Sequence, residues 1–423
     1  MKVRQICMMV LFGLGVIPAM QAQTFDKLWK EVEQAEKKSL PKTVIKLTDE
    51  IYQKGEKERN SAQMLKAYMW RMKTQDILTP DSFYVGLRDL EQWVKQTEQP
   101  MDRAILHSLI AEFYANYAAD NQWQLRQRTE IVGETPSADI REWTANMFVE
   151  KVRTNVKEAL ADSLLLLKTS SRNYIPFVEL GETSEYYHHD MYHLLASRAV
   201  RALNQIERLE RGSFNGITVS PVKQDISNIY ERMADAYETA GLKEGYVLTM
   251  LQYLEWERGN DNKLQPVQLK KGLGEWTADT YNAALDELKR QFKSEPICAE
   301  VYLAQAHYAV EKMQQVNALQ LCDEAIRLYP GYRRINALKN LREEILAPFL
   351  NVSAVSQAFP NEEIKLNVGH KNLDGFTVRL YQAKKLVKEQ HYSVLRPKDY
   401  RAKDTVFTFK APDLGTYVMR IIP

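Results

Sequence analysis

Ala299-Glu300-Val301-Tyr302-Leu303-Ala304-Gln305-Ala306-His307-Tyr308-Ala309-Val310 obeys one rule, and Ile364-Lys365-Leu366-Asn367-Val368 with Phe376-Thr377-Val378-Arg379-Leu380 obeys another. In the first stretch apolar residues return every third or fourth position, at Ala299, Tyr302, Leu303, Ala306 and Val310. In the second they alternate, at Ile364, Leu366 and Val368 and again at Phe376, Val378 and Leu380. The first period lines one face of a helix, the second one face of a strand. The rule changes near Pro348. The chain is therefore expected to be multidomain: an all-α body over residues 23–350 and an all-β part over residues 351–423.

Working back from the switch, residues 299–332 fit the roughly 34-residue tetratricopeptide (TPR) repeat, a helix-turn-helix unit. Tyr302 takes its large aromatic position, Ala306, Ala318 and Ala325 its small ones, and Pro330 follows the second helix. Two helices in close contact need small side chains where they cross, and a proline cannot continue a helix. A weaker copy starts at Ser227, with Tyr230, Met233, Ala234, Tyr237 and Gly241, and Ile110-Ala111-Glu112-Phe113-Tyr114 hints at a third. These copies imply a divergent TPR-like solenoid. Further helices are expected at Phe25 to Lys38, Lys42 to Gly55, Ser61 to Asp76, Ser82 to Thr97 and Arg141 to Lys168, with a loop from Gly212 to Pro221.

Lys2 and Arg4 precede an apolar run from Ile6 to Met20, broken by Gly13, Gly15 and Pro18 and followed by Ala22. That is the pattern of a secretory signal peptide over residues 1–22. The run is too short and too broken for a membrane span, so a soluble exported protein is expected, in the periplasm, outer-membrane-associated or extracellular. Lys and Arg number 57 against 55 Asp and Glu, a balance that gives no electrostatic case for a nucleic-acid partner. Cys298 and Cys322 remain in the mature chain, on helices expected to place them at different heights, so buried free thiols are expected rather than a disulfide.

Ile105-Leu106-His107-Ser108-Leu109-Ile110-Ala111-Glu112-Phe113-Tyr114, followed by Trp123 and Arg126-Gln127-Arg128-Thr129, resembles the helical leader of large exported alpha-2-macroglobulin-like proteins of the Bacteroides group. Met191-Tyr192-His193-Leu194-Leu195-Ala196-Ser197-Arg198-Ala199-Val200 does so too. Residues Pro360 to Gln382, with Lys371-Asn372-Leu373-Asp374-Gly375-Phe376, resemble two adjacent strands of a macroglobulin-type, immunoglobulin-like sandwich, and Leu414-Gly415-Thr416-Tyr417-Val418 resembles a later one. The resemblance implies an envelope protein that, at full length, captures or inhibits proteases. It also implies that the present chain is the front end of something larger. Covalent trapping in the family uses a Cys-x-Glu-Gln thioester; Cys298-Ala299-Glu300-Val301 and Cys322-Asp323-Glu324-Ala325 both lack the glutamine. No thioester forms at either.

His188, His189 and His193, beside Asp190, form the one cluster with metal-ligand spacing, and His189 and His193 are the candidate pair for a zinc or copper ion. The glutamate of a His-Glu-x-x-His general base is absent between them, and the cluster opens an amphipathic helix, so polar packing at a helix start is the favoured account. Tyr174, Tyr186, Tyr187 and Tyr192 are read as repeat core and loop anchors, with a peptide-binding patch as the rival. There is no Gly-x-Ser-x-Gly elbow, phosphate-cradling loop or dinucleotide fingerprint, so no catalytic residue and no cofactor is assigned. The expected role is a non-catalytic scaffold with protein partners, proteases or envelope proteins. The rival roles are a stand-alone periplasmic adaptor and, from another class, a metal-dependent hydrolase at the histidines. About seventy residues follow Leu350, with five strands expected, against about a hundred residues and seven strands in a whole sandwich. An unpaired edge is the expected consequence, and a chain ending near Pro348 is expected to be the more soluble.

Overall fold

The computed structural model describes residues 17–79, 82–129, 137–179, 181, 184, 188–210, 220–259 and 280–423. Residues 1–16 of the expected signal peptide lie outside these, as do residues 212–219 of the expected loop and Tyr186 and Tyr187. Fifteen α-helices are followed by six strands among the described residues. No helix there is long and apolar enough to cross a membrane. The chain divides into two compact units, Met1–Tyr253 and Leu254–Pro423.

The first unit is helical. Its elements are α1 (Ile17–Lys37), α2 (Pro41–Glu58), α3 (Ser61–Leu78), α4 (Ser82–Gln96), α5 (Pro100–Asp120), α6 (Gln122–Gln127), α7 (Ala145–Ala159), α8 (Ser163–Lys168), α9 (Met191–Glu207), α10 (Pro221–Thr239) and most of α11 (Lys243–Gly259). Pro41, Pro100 and Pro221 stand at helix starts, where a missing N–H costs nothing. Asn60, Asp162 and Ser220 accept hydrogen bonds from the backbone N–H groups of Gln63, Leu165 and Lys223, capping α3, α8 and α10. Neighbouring helices pack pairwise, α2 on α3, α5 on α7 and on α9, and α9 on α10. Phe25, Trp29, Val32, Val44 and Ile51 form one core cluster, and the Trp29 indole donates to Gln63 Oε1 at 2.7 Å.

The single helix expected from Arg141 to Lys168 is instead three pieces: a 3-10 turn at Ile140–Glu142, then α7, then α8. The physical reason lies at Asp162. Its carboxylate caps a new helix start at Ser163, which an apolar-period reading does not see.

The second unit begins with the end of α11 and continues with α12 (Thr280–Phe292), α13 (Cys298–Glu311), α14 (Gln315–Leu328) and α15 (Ile335–Leu346). α13 and α14 are the helix pair read at residues 299–332. Met313 turns the chain between them at φ 60°, and Ala306, Ala318 and Ala325 have no exposed surface. The strands follow: β1 (Phe349–Ser353), β2 (Glu363–Lys371), β3 (Gly375–Gln382), β4 (Lys385–Ser393), β5 (Lys403–Lys410) and β6 (Val418–Ile422). They form two three-stranded antiparallel sheets, ordered β1-β2-β5 and β4-β3-β6. Ile364, Leu366 and Val368 from one sheet meet Phe376, Val378 and Leu380 from the other in one core, joined by Tyr392 and Phe409. Each alternating run thus buries its apolar face against the opposite sheet. There are six strands where five were expected. The two strands within Pro360 to Gln382 are consecutive but belong to different sheets.

The crossing between those sheets is also where the strands meet the helices. Asn372, buried and at φ 57°, donates from its side-chain amide to the carbonyls of Ile345 (2.9 Å) and Ala347 (3.3 Å). Lys371 Nζ donates to Glu344 O at 2.8 Å. These donors satisfy carbonyls at the C-terminal end of α15, where helices leave acceptors unpaired and favour positive charge. Asparagine tolerates the left-handed backbone conformation that the turn demands. Gly375 follows for a steric reason: a Cβ there would lie 2.7 Å from the carbonyl oxygen of Tyr392 on β4.

Candidate functional site

Asp190 is the centre of the cluster singled out in the sequence. It precedes α9 and caps it, its Oδ1 accepting the His193 backbone N–H at 2.7 Å. His188 Nδ1 lies 2.6 Å from Oδ2, and the Tyr237 hydroxyl of α10 donates to both oxygens, at 3.0 and 2.9 Å. The strand-like bridge Ser170–Asp190 and the bonds from Ser171 N to His189 O (3.0 Å) and Met191 N to Thr169 O (2.8 Å) stitch the preceding segment to the same point. Asp190 itself is buried. A carboxylate removed from water needs donors on every side, and this one has them.

His193 has no exposed surface, and its Nε2 lies 3.1 Å from the Gln252 side-chain amide of α11. Burial lowers its pKa to about 4, with His188 pushing the same way and Asp190 opposing. At neutral pH it is an uncharged imidazole enclosed by protein. His189 lies before the helix start and contributes its carbonyl, which Ser170 and Ser171 hydroxyls approach at 3.3 Å. Since α9 begins at Met191, His189 and His193 do not sit on successive turns of one helix. Among the described residues no three His, Cys, Asp or Glu side chains are gathered as metal ligands would be. Chemically the cluster is a polar knot tying α9, α10 and α11 to residues 169–171 and 188–190. Reading the sequence alone misses Tyr237, Gln252 and Gly245. The signal for Gly245 is steric, because a Cβ there would run into the Tyr237 ring.

The helical stretches at residues 105–114 and 191–200 are brought side by side. Glu112 of α5 pairs with Arg198 of α9, and Gln205 donates to Asn116 Oδ1 at 2.9 Å. His107 Nδ1 lies 2.8 Å from Asn155 Oδ1 of α7. Tyr192 is fully buried, and Tyr174 donates to Asp102 Oδ1 at 2.7 Å, so both described members of the tyrosine group are anchored in the first unit. In the second unit Cys298 and Cys322 are both buried and free. Burial raises both thiols, Cys322 to about 11, which leaves almost no thiolate at neutral pH.

No known family model and no curated protein sequence matches this chain.

Proposed function

We propose that this protein is the helical leader and first β-sandwich of an exported alpha-2-macroglobulin-like envelope protein, acting as a non-catalytic scaffold for protease capture or inhibition. The helical part is read as a divergent TPR-like solenoid and the β part as a macroglobulin-type, immunoglobulin-like sandwich. One observation supports this most: the Lys371-Asn372 turn that carries the resemblance joins a two-sheet sandwich to the end of the last helix through three side-chain hydrogen bonds. A scaffold built to hold a sandwich at a fixed angle needs such a joint. Further support comes from His193 in the first unit and from Cys298 and Cys322 in the second, each of which burial holds in its neutral form. On this reading the partners are proteins, met at surfaces.

The test uses the protein as it is encoded, purified from the envelope fraction. Mass analysis is expected to place the mature N-terminus at Gln23, after removal of the leader. Size-exclusion chromatography with a panel of secreted proteases is expected to show a stoichiometric complex and reduced cleavage of a protein substrate. A chain that binds no protease but holds a defined envelope protein would replace this reading with the stand-alone adaptor. Stoichiometric zinc, lost in a His189→Ala, His193→Ala variant together with a hydrolytic activity, would replace it with an enzyme.

A further inference from the structure

The sandwich finishes its two flanks differently. On one flank β4 and β5 are closed against each other by side chains: Lys388 Nζ donates to Lys410 O at 2.8 Å, and the Tyr392 hydroxyl donates to Thr408 O at 2.8 Å. The Lys388 ammonium also lies 4.3 Å over the Phe409 ring. Edges covered in this way are protected against pairing with another strand. On the other flank β1 pairs only with β2, and β6 only with β3. Among the described residues no side-chain hydrogen bond covers the backbone of β1 or β6. Between these two strands a groove of about 280 Å³ runs past Phe349, Leu350 and Val352 of β1, Leu373, and Ile421 of β6. Leu350, Val352, Met419 and Ile421 pack on the sandwich core but stay only partly buried, and Phe349 is 48% exposed.

An open edge of this kind selects its occupant. β6 leaves one row of backbone N–H and C=O groups without a partner strand, and an extended chain matches that row in spacing. Along β6, Val418, Arg420 and Ile422 are exposed on the outer face, while Met419 and Ile421 turn toward the core. An incoming strand therefore needs apolar side chains beside Met419 and Ile421, flanking one outward position beside Arg420. Charge settles that outward residue. Arg379 stands directly opposite Arg420 in the β3–β6 ladder, and Glu389 stands opposite Arg379 in the β3–β4 ladder. Glu389 is already paired with Arg379. Arg420 has no ion pair among the described residues and lies 5.2 Å over the Tyr381 ring. Two arginines side by side are unfavourable, and the next strand outward is where a balancing carboxylate fits. A second copy of this chain does not supply it, because β6 laid on β6 in matched register sets Arg420 against Arg420.

We propose that the open edge of β6 binds an extended segment of a partner protein in which an acidic residue stands between two apolar ones. The segment's backbone pairs with β6, its carboxylate lies beside Arg420, and its apolar side chains cover Met419 and Ile421, the latter at the mouth of the groove. The site rests on the two-sheet geometry and not on the macroglobulin reading, so either can fail without the other.

Titration of the whole chain with acetyl-Ser-Thr-Val-Glu-Val-Thr-Ser-amide, followed by calorimetry and by hydrogen exchange, tests it. Saturable one-to-one binding is expected, with slowed exchange of β6 amides and unchanged exchange in β4 and β5. Glutamine in place of the glutamate should weaken binding about threefold and lysine about tenfold, the range of a cross-strand charge pair. Arg420→Glu should invert the order, so that the lysine peptide binds better than the glutamate one. Arg420 is exposed, so the variant's melting should match the parent; if it does not, the peptide series on the parent chain decides alone. Alternate backbone nitrogens of a strand point to opposite edges, so methylating one alternate set in the peptide should abolish binding and methylating the other should spare it. Equal effects of the two methylations, indifference to the sign of the central residue, protection in β4 or β5 instead of β6, a β6-mediated dimer that the peptide does not dissociate, or no binding at millimolar peptide each overturns the proposal.

Discussion

Mild acid is expected to loosen the first unit through His193. In the folded chain burial holds this imidazole at about 4, against 6.5 when it is exposed in the unfolded chain. Below pH 6.5 the unfolded state takes up a proton that the folded state refuses. The stability is therefore present in full above that value and is lost as pH falls toward 4. At pH 5 the unfolded state is favoured by about thirtyfold more than at pH 7.5, or about 2 kcal/mol, and the loss approaches ~3 kcal/mol below pH 4. The groups facing His193 include Asp190, which favours the cation, His188, which opposes it, and the neutral Gln252 and Tyr237. Hydrogen exchange of the α9 and α10 amides, compared at pH 7.5 and pH 5 after correction for intrinsic rates, reads the unit directly. His193→Gln should be the weaker chain at pH 7.5 yet lose about 2 kcal/mol less on acidification. Parallel losses in the two chains, or a His193 imidazole found by NMR to titrate near 6.5, would refute the reasoning.

Three further outcomes are expected. Glu300 is held above the ordinary carboxylate value by burial, although Arg334 (2.7 Å) and Tyr332 (2.9 Å) oppose this. The folded second unit thus binds that proton more readily than the unfolded chain, so its contribution to stability is greatest at low pH and is lost as pH rises through the folded value; Glu300→Gln should remove this dependence from exchange of the α13 amides. Asn372→Ala should cost about 2–3 kcal/mol, from two lost hydrogen bonds and a left-handed backbone that alanine resists, whereas Asn372→Gly should recover the backbone part; protease nicking between α15 and β1 reports both. Val418, 59% exposed on the terminal strand β6, should promote association through that edge, and Val418→Lys should lower light scattering at equal concentration with a stability change within about 0.5 kcal/mol.

The sequence carries its architecture unevenly, and the gaps have physical causes. Ala306, Ala318 and Ala325 announce a helix crossing because only small side chains serve there, and Ile364, Leu366 and Val368 announce a strand because one face is buried against a second sheet. β1 and β4 are faint because both are edge strands: no β1 residue is buried, and in β4 only Tyr392 is, too little to leave an apolar period. Asp190 and His193 are visible as a cluster, but their partners Tyr237 and Gln252 lie 47 and 59 residues away, a separation that no local pattern encodes. The uncompensated charge at Arg420 is hidden for a similar reason. Val418-Met419-Arg420-Ile421-Ile422 reads as an ordinary strand until the ladder sets Arg379 beside Arg420.

The buried carboxylates account for how the helices within each unit keep their register. Contacts among leucines and alanines on neighbouring helices are nearly interchangeable when one helix slides by a turn, so apolar burial alone leaves near-equal alternatives. Asp102 receives Ser61 Oγ at 2.5 Å from α3 and the Tyr174 hydroxyl from the segment after α8. Asp190 receives donors from α9, from α10 and from His188, and Glu300 ties α13 to Tyr332 and Arg334 at the start of α15. Each is buried, and each would be left short of donors by a slip of one turn, at about 1–3 kcal/mol or more for every bond lost. Net stability from these bonds is small, but the difference between right and wrong registers is not. On that ground polar side chains at Asp102, Asp190 and Glu300 serve specificity of register, and replacing any one by an apolar residue should widen the set of packed states before it unfolds the chain.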